Sequence, residues 1–194
     1  MGILWVASDF GLVKVAQQQR IFSNYLSEGN EHCNNGFCST RGITHDNNGK
    51  VYFSMYNTIQ VLNTETDEVR PLFGKKEFYN PPFGLLYHNG FLWTGNGLRI
   101  DLKTQRIAQV LNITGNDEGV VAVDSLGKVW LANGNKIFYF EKSLGKYVAF
   151  KSGTGTFDQV NKITYLLPSA VNADILWVGT NGNGIFKILS LIHI

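Results

Sequence analysis

The chain has 194 residues, 44% of them hydrophobic and 13% aromatic, which is enough apolar side chain for a packed core and too much for a disordered segment. Its 17 basic and 15 acidic residues leave a net charge of +2, and the basic residues are scattered apart from Lys75 and Lys76, so no footprint for nucleic acid is present. No apolar run reaches the roughly 20 residues of a membrane span, and no basic-then-apolar leader precedes "GILWV".

The first element, "ILWV" at 3–6, reads as the inside of a strand, which suggests a fragment whose beginning lies upstream. The phrase it opens, "LWVASDFGLVKV" from Leu4, returns as "VYFSMYNTIQVL" from Val51 and "LWTGNGLRIDL" from Leu92. It returns again as "VWLANGNKIFYF" from Val129 and "LWVGTNGNGIFKI" from Leu176. Trp5, Tyr52, Trp93, Trp130 and Trp177 thus share one register, at intervals of 47, 41, 37 and 47 residues. Such a period, built from short strand signals, predicts propeller blades, not a helical solenoid.

Each period divides into four strand-like pieces, for example "GITHD", "KVYFSMY", "IQVLNT" and "EVRPLF" in the second, or "GVVAVD", "KVWLAN", "KIFYFE" and "KYVAF" in the fourth. Between the first two pieces stand "DNNG" (46–49), "HNG" (88–90) and "DSLG" (124–127), read as hairpin turns in which Asp or Asn caps and Gly takes positive φ. The aromatic strand is apolar on both faces, so it is expected to be covered on both sides by neighbouring blades, with the five aromatics as structural anchors. Gly95 and Gly179, with Ala7 and Ala132 in the same register, are expected where blades approach closely.

The predicted fold is all-β: a β-propeller of four to five four-stranded antiparallel blades, part of a larger ring of about seven. Blades are assigned to 42–73, 83–111 and 119–150, with partial blades at 1–26 and 160–189 and a non-native tail at 190–194. An open set of blades exposes strand edges and stacking faces, so self-association is expected.

The phrases "LWVGTNGNGIFKI", preceded by "VNKIT", and "GITHDNNGKVYFSMYNTIQVL" resemble the two-component regulator propeller repeat. The resemblance covers 1–189. It is closest at 5–15 and 177–188 and weakest at 51–62, where Tyr52 stands in place of Trp. It implies a periplasmic or extracellular sensor domain of a hybrid histidine kinase, binding a small molecule or glycan, without a cofactor, and dimerising through the full-length sensor. The kinase would lie outside this chain, which on this reading is not itself an enzyme.

Ligand contacts are expected on the connections between successive blades, at Arg41, Tyr79, Asn80, Asn116, Asp117, Phe157 and Asp158, whose rings, amides and carboxylates suit a neutral polar ligand. The Asn-Gly runs near 96, 133 and 181 precede no helix and are read as turns, not phosphate loops. Cys33 and Cys38 would close a small loop as a disulfide contributing roughly 2 kcal/mol in an oxidising compartment. A zinc site from His32, Cys33, Cys38 and His45, or two free thiols, are the alternatives, and no metal site is assigned. No catalytic motif is present. A propeller enzyme of the lyase or lactonase type, or a protein-binding scaffold, remain as rival readings.

Overall fold

The computed structural model describes residues 3–16, 22–26, 39–55, 58–73, 83–113, 119–151, 160–172 and 174–189. Tyr79, Asn80, Asn116, Asp117, Phe157 and Asp158, and likewise His32, Cys33 and Cys38, lie outside them.

Among the described residues the secondary structure is entirely β, in two compact units, Met1–Tyr87 and His88–Ile194. The first unit holds a sheet of β1 (Ile3–Ser8), β2 (Gly11–Ala16) and β3 (Phe22–Tyr25), in that order. Its second sheet is ordered β4 (Ile43–His45), β5 (Lys50–Met55), β6 (Thr58–Asn63), β7 (Glu68–Pro71). At the division between units β8 (Leu85–His88) begins a third sheet, followed by β9 (Phe91–Thr94), β10 (Leu98–Asp101) and β11 (Ile107–Gln109). A fourth contains β12 (Val120–Val123), β13 (Val129–Asn133), β14 (Lys136–Glu141) and β15 (Lys146–Ala149). The fifth has β16 (Ile163–Pro168), β17 (Ile175–Thr180) and β18 (Ile185–Leu189). Each sheet is a meander of hairpins.

Alternation along a strand sends neighbouring residues to opposite faces, and the sheets use both. In the first unit Leu12 and Leu26 of the first sheet pack with Val51, Phe53, Met55 and Leu62, with Trp5 and Tyr25 at the margin. In the second unit Trp130, Ala132 and Ile137 of the fourth sheet meet Leu166, Leu176, Val178 and Ile188 of the fifth. Trp130 is fully buried, its ring edge-on to Phe150 and tilted against Tyr139. Complete burial of such a ring is worth up to about 4–6 kcal/mol of transfer energy.

The anchoring aromatics are not equally covered. Tyr52, Trp93 and Trp130 are buried, Trp5 is half-buried, and Trp177 is 39% exposed. The expectation that every tryptophan strand is covered on both faces therefore fails at β17, and also at β1, where Ile3, Leu4 and Val6 are exposed. Trp177 shares its open face with Tyr165, Leu167, Ile185 and Leu189, all exposed, while the other face carries the core.

Close backbone approach is found at Gly95, but not in the same way at Gly179. A Cβ on Gly119, just before β12, would fall on the Gly95 carbonyl oxygen and 2.8 Å from its carbon, so the third and fourth sheets meet there backbone to backbone. At Gly179 a Cβ would meet Tyr165 Cβ at 3.3 Å, its own cross-strand partner. In the second sheet Ser54 takes this register, and its buried hydroxyl accepts from Gly42 N at 2.8 Å.

Candidate functional site

The hairpin turns position more than the strands. Asp46 Oδ1 accepts from the amides of Asn48 (2.8 Å) and Lys50 (3.0 Å), while Oδ2 accepts from the Tyr52 hydroxyl at 3.1 Å. Asp124 repeats the arrangement, taking Leu126 N at 3.0 Å and Lys128 N at 2.9 Å on one oxygen and Trp130 Nε1 at 2.9 Å on the other. One carboxylate thus closes the turn and fixes the ring six residues on. Burial, and then the nearby Asp46 charge and its hydrogen bond, push the Tyr52 hydroxyl well above the ordinary tyrosine value.

The third sheet departs from this pattern. Its turn, "HNG", is one residue shorter, with Asn89 at φ 51 and Gly90 at φ 79, and His88 stands where the carboxylate would be. Trp93 is 5% exposed and its Nε1 has no hydrogen-bond partner. Beside it the hydroxyl of Tyr147, also 5% exposed, is equally unpartnered, and burial alone drives its acidity far down. The two rings are edge-on at 6.1 Å, and both meet Phe140 edge-on, at 4.7 Å from Trp93 and 5.7 Å from Tyr147. A buried polar group without a partner costs about 1–3 kcal/mol.

Next to these rings lies a cavity of about 490 Å³ between the third and fourth sheets, wholly within the second unit. Phe91, Trp93 and Phe140 line it with rings, Leu126 and Val129 add apolar surface, and Arg99, Lys128 and Lys142 supply positive charge. Arg99 lies opposite Trp93 in the β9–β10 register, its guanidinium 4.9 Å from the centre of Phe91, 5.3 Å from Phe140 and 5.8 Å from Trp93. Lys128 lies over Tyr139 at 5.2 Å. The one lining carboxylate, Glu141, accepts from Ser143 Oγ at 2.8 Å and Ser143 N at 3.1 Å. Those bonds, the hydroxyl's first, hold its pKa below the usual glutamate value. His88 Nε2 pairs with Asn89 Nδ2 at 2.9 Å.

This cavity is lined by the β8–β9, β12–β13 and β14–β15 turns, at the opposite strand ends from the blade-to-blade connections singled out in the sequence. A smaller hollow of about 240 Å³ does lie at the latter ends, between Leu111–Ile113 and the β13–β14 turn, lined by Asn112, Asn133 and Asn135. Of the seven ligand residues predicted, Arg41 is the one described. Its amide donates to Ser54 O at 2.9 Å and its guanidinium stacks 4.5 Å from the centre of Phe83. His45, a member of the alternative zinc set, pairs through Nδ1 with Asp46 O at 3.0 Å. Among the described residues there is no group of three metal-ligating side chains and no helix long and apolar enough to cross a membrane.

No family model and no curated protein matches the chain. Among solved structures it is similar to the extracellular domain of a hybrid two component system from B. thetaiotaomicron, with a TM-score of 0.72 at 15% identity, over 96% of this chain and 25% of that one. A second such domain from the same organism gives a TM-score of 0.72 at 18% identity, over 96% and 25%. The WD40 beta propeller domain of Doa1 gives 0.64 at 10% identity, over 97% of this chain and 61% of that one. The chain thus spans about a quarter of the length of the first two, and its fold is that of a β-propeller.

Proposed function

We propose that the chain is part of a ligand-sensing β-propeller in the periplasmic or extracellular sensor domain of a two-component signalling protein, and that it binds a small molecule or short oligosaccharide. The observation that carries this reading is the ring-lined cavity between the third and fourth sheets, with Arg99 among its lining residues. Its volume falls in the usual range of ligand sites, about 300–1,000 Å³, and a few polar groups on apolar walls are what such sites contain.

The test of the signalling half is the reading frame on either side of this chain in its source nucleic acid. Further blades, a membrane helix and a histidine kinase are expected. A frame closing at both ends without them would remove the signalling role while leaving the cavity to be explained.

A further inference from the structure

Resting on the ligand-sensing reading, we infer that the cavity between the third and fourth sheets takes a small aromatic carboxylate, its ring against Phe91, Trp93 and Phe140 and its carboxylate against Arg99. The inference starts from the charge balance. Three cations, Arg99, Lys128 and Lys142, face a single carboxylate, Glu141, which is already turned to Ser143. Among the described residues Arg99 forms no ion pair; the one salt bridge found there joins Lys14 to Asp67 in the other unit. Arg99 is instead half-buried and lies over the three rings by its guanidinium. A guanidinium held over rings keeps its N–H donors, to which a carboxylate binds with two parallel hydrogen bonds.

The second requirement is negative charge to balance the cationic lining beside Arg99, which a carboxylate supplies and a hydrocarbon cannot. The third is shape. Rings on two facing sheets make flat apolar walls, which a planar ring fills by edge or face contact. A neutral saccharide would find few amide or carboxylate partners here, since the polar lining is mostly cationic; the amide-lined hollow beside Asn112 is the place for one.

The test is calorimetric titration of the 194-residue chain with phenylacetate and indole-3-acetate, each against its uncharged amide, and with cellobiose as a neutral sugar. The carboxylates should bind at least about ten-fold more tightly than the amides, and added salt should weaken them because part of the attraction is screened. Arg99→Met should lower carboxylate affinity about ten-fold or more while leaving the amides unchanged. If Arg99→Met disturbs the fold by circular dichroism, Lys142→Gln, at an exposed position, should still reduce carboxylate affinity a few-fold. Equal binding of acid and amide, or of wild type and both variants, overturns the inference but leaves a ligand site in place, as does binding of cellobiose alone. If acids, amides and cellobiose all fail to bind, and a broad panel of oligosaccharides also gives no heat, the sensing reading falls with it.

Discussion

Replacing Asp124 with Ala tests whether the turn carboxylate holds the core ring. The substitution removes acceptors from Leu126 N and Lys128 N, and from Trp130 Nε1. The exposed turn amide can find water, costing about 0.5–1 kcal/mol, but Trp130 is fully buried and its Nε1 cannot. Leaving that donor unsatisfied adds about 1–3 kcal/mol, so Asp124→Ala should destabilise by about 2–4 kcal/mol in all. The informative measurement is a double-mutant cycle with Trp130→Phe in urea, followed by far-ultraviolet circular dichroism. Once the indole N–H is gone, removing the carboxylate should cost only the turn, giving a coupling of about 1–2 kcal/mol. A coupling below about 0.5 kcal/mol would refute the reasoning, because turn and ring would then be held independently.

Three further outcomes are expected. Gly119→Ala would drive a Cβ into the Gly95 backbone and should cost at least about 2 kcal/mol, whereas Gly90→Ala meets open space and should cost about 1 kcal/mol for its positive φ; equal urea midpoints would contradict this. Tyr25, pushed up to about 12 first by burial and then by its 2.5 Å hydrogen bond to Asp67, should lend stability that is complete below about pH 10 and lost as pH rises through about 12. In a phenolate absorbance titration referenced to Tyr25→Phe, Asp67→Asn should lower that value part of the way, since burial remains. The open face of the fifth sheet should make the chain self-associate with concentration, and Ile185→Lys with Leu167→Lys should suppress this in light scattering; unchanged association would place the sticky surface elsewhere.

What the sequence made legible was whatever repeats. Five aromatics in one register marked β1, β5, β9, β13 and β17, because the repeat places each at the same point of its unit, and the Asp-Gly and Asn-Gly turns followed from backbone requirements that no tertiary contact alters. The ring-pinning role of Asp46 and Asp124 was available in the same letters, "DNNGKVY" and "DSLGKVW", as a fixed spacing of six to the aromatic. The cavity was not legible. It depends on which residues of two neighbouring sheets face each other: Arg99 comes from the third sheet, Phe140 and Lys142 from the fourth, and nothing in the spacing joins the first to the other two. The exposure of Trp177 was hidden for a related reason: burial of a strand face depends on what lies against it, and the strand's own letters are the same whether or not a neighbour is there.

The same repeat logic explains why the cavity sits where it does. Two hairpins satisfy their ring with a carboxylate six residues upstream; the third is shorter by one residue, carries His88, and leaves Trp93 Nε1 without an acceptor. A departure from a local rule that lowers stability is expected where function requires it. Replacing "HNG" at 88–90 with "DSLG" would restore both the length and the carboxylate, placing an Asp six residues before the Trp93 ring. Pairing that buried donor should stabilise the chain by about 1–2 kcal/mol, read as a higher urea midpoint. The same carboxylate would add negative charge beside Arg99, so affinity for an aromatic carboxylate should drop at least about ten-fold. If stability rises and binding survives, Trp93 is a core residue that has lost its partner and the ligand lies elsewhere. If stability does not rise, the short hairpin was never the reason for the unpaired indole, and the link between the irregular repeat and the cavity fails.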